Sequence, residues 1–192
     1  MGRTTTMFQL VARAGTVAIV LAGWAGVAFG QALPAPIHVP APGGEVVLTT
    51  VFDKQIYDED QLSAVRRAGD WLYFSGSVVG ASKPIGPDDF EQRLDRVFRL
   101  IGDKLCAAGA SFADVVAMRS YHAWRNPAFT GTKDEHNAVF DKVRKRYFLA
   151  PYPTWTAIGV DQLYASPGLV EIELTAYAPR RRGAGRAQAC PK

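Results

Sequence analysis

Two carboxylates two positions apart, Glu171 and Glu173, share one face of the terminal segment 169–178, because side chains alternate across an extended strand. Repulsion between like charges that close raises the pKa of one of them, a condition for proton exchange by a carboxyl near neutral pH. The other titratable groups point to less. His122 and His136 have neither a ligand spacing nor a third partner for zinc, and read as structural histidines. Cys106 and Cys190 have no neighbouring His to act as a base, which argues against a thiol nucleophile. They could form one disulfide in an oxidising compartment; the alternative is a half-buried Cys106 and an unrelated free Cys190.

The elements that must position these groups follow from hydrophobic period and punctuation. Segments 45–52, 62–69 and 71–79 read as strands, with Gly69-Asp70 turning between the last two. Gly86-Pro87-Asp88 leads into a helix striped by Phe90, Leu94, Val97, Ile101 and Leu105, with Asp88 and Glu91 as an expected capping box and Gly109 as its left-handed end. A Val- and Tyr-rich strand covers 114–123. A second helix starts at Thr132, capped with Glu135, and carries the stripe His136, Val139, Phe140, Val143 and Tyr147. Its basic end, 142–146, suits the helix dipole and reads as solvated. Pro151 and Pro153 stop it before strands over 154–163 and 169–178.

The order β-β-β-α-β-α-β-β is that of a single α+β domain, a mixed sheet with two helices on one face. On the last strand Val170, Ile172, Leu174 and Ala176 should pack under the helices. Leu169, Glu171, Glu173, Thr175 and Tyr177 should form the other face, a mixed surface of the kind that self-association covers.

The ends of the chain are of a different character. In 192 residues, 48% hydrophobic and 21% charged, the net charge is +4. The excess sits in residues 1–30 and 180–192, because residues 31–179 hold 15 basic against 18 acidic side chains, a net −3. A mildly acidic body does not suit a nucleic-acid partner. Arg3 and Arg13 precede an uncharged apolar stretch, 14–29, ending in small residues, which reads as a secretory signal cut near Gly30 or Ala32. It is shorter than the roughly 20 residues that cross a bilayer, so no stable membrane anchor is expected, and the mature protein is expected in the periplasm or outside the cell. Residues 31–44 hold four prolines and two glycines and read as an extended tether; the Arg- and Gly-rich tail from Arg180 reads as disordered. The domain is then 45–179.

Within it, four motifs in order resemble the Rid (YjgF) family of reactive-intermediate imine/enamine deaminases. Leu72-Tyr73-Phe74-Ser75-Gly76 is similar to that family's hydrophobic strand ending in Ser-Gly. Ala107-Ala108-Gly109 followed by Asp114-Val115-Val116 is similar to its helix-to-strand step. Asn137-Ala138-Val139-Phe140 and the terminal Val170-Glu171-Ile172-Glu173 match two further signatures. The resemblance covers 62–178. It implies a homotrimeric barrel with small-molecule clefts between subunits, no metal or organic cofactor, and hydrolysis of 2-imino or 2-enamino acids.

The same resemblance assigns roles. Glu171 would be the catalytic glutamate that positions water or shuttles a proton, with Asn137, Ser75 and Gly76 holding substrate. The arginine that grips the substrate carboxylate is replaced by Trp155, in Pro153-Thr154-Trp155, and a tyrosine near the start of the domain by Leu62. An indole has one N–H donor and no charge, and hydrogen bonds to charged groups contribute about 1.5–3 kcal/mol each, so loss of a two-bond fork costs at least about a hundredfold in affinity for an imino acid. Trp155 would instead pack an interface or wall a flat ligand. Arg119, on the 114–123 strand, could supply the fork from another direction. Two functions stand side by side: a deaminase-type hydrolase acting on substrates other than ordinary 2-imino acids, and a catalytically silent binding or interaction protein. A holdase-type chaperone is a third, weaker reading.

Overall fold

A computed structural model describes residues 31–180; the expected signal segment, the basic tail beyond Arg180 and Cys190 lie outside the described residues. Seven strands form one sheet in the order β1-β2-β3-β4-β7-β5-β6. They are β1 (Ala32–Ala41), β2 (Gly44–Thr50), β3 (Val65–Ala68), β4 (Trp71–Gly80), β5 (Val115–His122), β6 (Thr154–Gly159) and β7 (Gly168–Tyr177). The sheet is mixed: β5 and β6 run parallel and every other neighbouring pair antiparallel. The helices are α1 (Val51–Glu59), α2 (Pro87–Ala107) and α3 (Lys133–Tyr147), with a short 3₁₀ turn at Phe112–Asp114.

The expected α+β architecture holds, and four local readings need correction. The 31–44 segment is not a free tether, because β1 pairs with β2 through Ile37–Leu48, Val39–Val46 and Ala41–Gly44. Its prolines are tolerated because β1 is an edge strand whose outer N–H groups have no ladder partner. The first strand does not run to Phe52: Thr50 caps a third helix, α1, in a capping box with Asp53. The Asp88–Glu91 box does not form. Gly86 stands at the N-cap, Pro87 opens α2, and Glu91 instead takes Lys142 and Arg146 of α3. Leu169, expected on the open face, is fully buried: Val79 pairs with Val170 and Gly80 with Gly168, which leaves Leu169 as the extra residue of a bulge turned into the core.

The core lies between the sheet and helices α2 and α3. Phe90, Leu94, Phe98, Ile101 and Leu105 of α2 and Phe140 and Val143 of α3 meet Val170, Ile172, Leu174 and Ala176 of β7. Gly109, at φ +73°, ends α2 as its position predicts. The Thr132–Glu135 box caps α3, with Glu135 N–H donating to Thr132 Oγ1 at 3.2 Å. Asp53 ties α1 to α2: its carboxylate accepts from Thr49 N, Thr49 Oγ1 and Thr50 N and meets Lys104 Nζ at 2.9 Å. Burial alone would raise this carboxyl, but the Lys104 charge and the hydrogen bonds outweigh it and hold the pKa low. Cys106, late in α2, is disulfide-bonded.

His122 and His136 are both buried in this core, their rings 5.3 Å apart among Phe90, Phe129 and Phe140. Burial pushes both pKa values down to about 4; His136 adds to the effect on His122, while the Leu169 backbone and Asn137 partly offset it on His136. Both are therefore neutral in the folded chain above about pH 4, whereas the unfolded chain takes up protons from pH 6.5 downward. Stability should be full above pH 6.5 and fall between pH 6.5 and 4, by roughly 3 kcal/mol for each histidine. Urea denaturation at pH 7, 6 and 5 checks this; a stability that stays level would contradict the neutral pair.

Candidate functional site

The open face of the sheet carries the site. Between Phe74 and Ser77 of β4 the ladder to β7 shifts register, from Phe74–Leu174 to Ser77–Ile172, so Ser75 and Gly76 together stand opposite Glu173. This bulge re-aims the strand beside the glutamates. Ser75 is held from the other side, its N–H donating to the Ala64 carbonyl at 3.1 Å and its hydroxyl to the Ser63 carbonyl at 2.7 Å. The Glu171 side chain lies directly on Gly76, where an added Cβ would come within 1.8 Å of Glu171 Oε1. No residue but glycine leaves that space.

A cleft of about 440 Å³ opens here, with Glu171, Glu173, Ser75 and Gly76 on its floor and Tyr73 and Tyr121 among its walls. The segment after α1 supplies another wall: beyond the C-cap Asp60, Gln61 turns the chain at φ +56°, and Gln61, Leu62 and Ser63 line the cleft. A second cavity of about 350 Å³ shares Tyr121, Glu171 and Glu173 with the first and is otherwise lined by residues from Val160 to Tyr164.

The charges in the cleft are not equivalent. Burial, and then the neighbouring Glu173 charge, raise Glu171 above the ordinary carboxyl pKa of 4.5. Glu173 is paired, since Arg119 Nη1 donates to its Oε1 at 2.8 Å and the Tyr121 hydroxyl donates to its Oε2 at 3.3 Å. Desolvation, and after it Glu173, raise the Tyr121 phenol. Arg66 also lines the cleft, and its guanidinium is engaged elsewhere: Nη1 donates to the carbonyls of Glu45 (3.2 Å) and Arg67, and Nη2 to that of Pro42.

The residues singled out in the sequence therefore divide. Glu171, Ser75 and Gly76 come together, and Arg119 reaches the same face through Glu173. Trp155 does not wall this cleft within one chain. Paired with Met118 in the β5–β6 register, it stands on the helix-covered face. There it stacks on Phe140 at 5.7 Å beneath the Arg144 guanidinium and donates from Nε1 to Ser120 Oγ at 2.9 Å. Asn137 is exposed on α3, away from Glu171. The basic end of α3 is bound rather than simply solvated, with Arg144 and Lys145 on Asp141 and Lys142 and Arg146 on Glu91. Sequence reasoning missed Tyr121, Tyr73 and Arg66. Tyr121 was within reach, since it follows Arg119 by two on one strand and so shares its face. Among the described residues no group of three or more His, Cys, Asp or Glu could hold a metal ion.

An α+β sheet with helices on one face and this bulged glutamate cleft on the other defines a recognisable class. A family model described as Endoribonuclease L-PSP matches residues 45–178, and the chain belongs to that family, the YjgF/Rid proteins. It is 32% identical over 126 residues to the RutC family protein YjgH of Escherichia coli K12, spanning 66% of this chain and 89% of that protein. A solved structure of protein YjgH superposes with a TM-score of 0.54 at 26% identity, covering 79% of this chain and 100% of that one. A Thermotoga maritima structure shares the fold at a TM-score of 0.50 and 22% identity, over 62% of this chain and 87% of its own.

Gly76→Ala tests the floor of the cleft. The new methyl should push the Glu171 carboxyl out toward water and return its pKa to near 4.5, read by NMR titration of the side-chain carboxyls. A pKa that stays raised would show that the carboxyl does not rest on Gly76.

Proposed function

We propose that the chain is an exported, homotrimeric member of its family whose clefts lie at subunit interfaces and hydrolyse an imine or enamine bond in substrates other than ordinary 2-imino acids. The observation that carries this is the state of Glu171, a desolvated carboxyl with raised pKa and no cation against it, on the floor of a cleft. Such a group donates its proton to an imine nitrogen and then, as carboxylate, takes one from the attacking water. Addition of water to C=N gives a carbinolamine, which collapses to a carbonyl compound and ammonia, so that one imine and one water yield one ketone or aldehyde and one NH₃.

The expectation that standard 2-imino acids are poor substrates has a second support beside Trp155. The two arginines near Glu171 are both occupied, Arg66 by three backbone carbonyls and Arg119 by Glu173. A silent binding protein is the alternative, favoured by the same lack of a free guanidinium. An RNA-cleaving reading, which the family description raises, has against it the net −3 of residues 31–179.

The test supplies two imines to the mature protein recovered from the periplasmic fraction and follows ammonia release: one made by an amine oxidase from a simple primary amine, the other 2-iminobutanoate made by an amino-acid oxidase. Release from the first should be accelerated and Glu171→Gln should abolish the acceleration, with kcat/KM for the imino acid about a hundredfold lower. The same preparation should begin near residue 31 or 33 and have the mass of three chains. No acceleration of either imine would leave the binding protein as the reading.

A further inference from the structure

The cleft's polar groups differ in what they leave unmet. Each of the two cations that line or border it is already paired. The two terminal nitrogens of Arg66 are taken up by the Pro42, Glu45 and Arg67 carbonyls, and Arg119 is held by Glu173 at 2.8 Å. Glu173 is likewise satisfied, by Arg119 and Tyr121. Glu171 is the carboxyl left facing the cleft without a cation; Tyr121 of β5 stands directly opposite it in the ladder, while Tyr73 of β4, opposite Thr175, lines the same cleft further along. A half-buried carboxyl with an aromatic neighbour can recognise a flat organic cation, by one charge-assisted hydrogen bond and by attraction of the positive charge to the aromatic ring.

We propose that the cleft selects a flat cationic nitrogen group, an iminium or amidinium, which donates an N–H to Glu171 and lies against its cross-strand neighbour Tyr121, and that it discriminates against anions of the same shape. This names the substrate class for the reading given above, and rests on that reading's assignment of the cleft. Proton transfer from Glu171 to a neutral imine produces the same pair, an iminium facing a carboxylate, so the site that binds the cation also stabilises the first charged species of the hydrolysis. The apolar substituent of such a cation has room beyond Glu171, where the second cavity is lined by Val160, Leu163 and Tyr164. Because Glu171 holds its proton more firmly than an ordinary carboxyl, cation binding expels that proton to solvent over the pH range where the free group is protonated.

Benzamidine and benzoate are nearly the same shape and opposite in charge, and calorimetry on the mature chain with each measures the preference. Benzamidine should bind at least tenfold more tightly than benzoate. Glu171→Gln should remove at least tenfold of the benzamidine affinity while leaving benzoate unchanged or improved. Glu173→Gln, which releases Arg119, should raise benzoate affinity several-fold, and this second variant reads the charge balance even if the first fails to fold. Benzoate binding as tight as benzamidine, no binding of either probe, or benzamidine affinity indifferent to Glu171→Gln would overturn the inference. Glu171-dependent turnover without a cation preference sinks this inference alone; benzamidine binding without turnover sinks the hydrolase reading alone.

Discussion

A carboxyl group resting on a glycine is the constraint from which the rest of the site follows. The β4 bulge puts two residues opposite one, and Gly76, the second of them, offers the Glu171 side chain a place where any Cβ would occupy its oxygen. That contact removes part of the water from the carboxyl without giving it a cation in exchange, and the result is a raised pKa. The neighbouring Glu173 lies two residues along the same strand and is instead paired, with the Arg119 guanidinium and the Tyr121 hydroxyl. Two chemically identical side chains thus acquire different roles from their surroundings.

Much of the fold was legible in the sequence because its signals were local and redundant. The α2 and α3 stripes, the Thr132–Glu135 box, the Gly109 end and the alternation of β7 all reappear. What was missed was either ambiguous locally or decided at a distance. Thr49-Thr50-Val51-Phe52 has the β-branched composition of a strand, and only the Thr50–Asp53 spacing marks the helix that follows; the buried Lys104 that holds Asp53 lies 51 positions on. Proline content alone made 31–44 look unpaired, since nothing local says that the segment will lie on the outside of a sheet. At the site, the Glu171 and Ser75-Gly76 motifs were visible. The engagement of Arg66 by Pro42, Glu45 and Arg67 was not, for it depends on a turn closing more than twenty residues away.

Trp155 shows how one substitution is absorbed by the framework around it. Indole cannot do what a guanidinium does, and here it is recruited into the helix-side packing, where Phe140, Arg144 and Ser120 satisfy its rings and its single donor. Ser120 Oγ in turn lies 2.8 Å from His122 Nε2, so the indole is linked to the buried histidine pair and not to the glutamate face.

The two margins of the sheet are chemically unequal. At β1, prolines 34, 36 and 40 strip N–H donors from the backbone, so an incoming strand would find an incomplete row of partners. At β6, residues 154–159 contain no proline and all are solvent-exposed in the single chain. A strand added to this sheet would therefore find a full row of backbone partners beside β6 and only a broken one beside β1, so the two edges differ in what they offer another polypeptide.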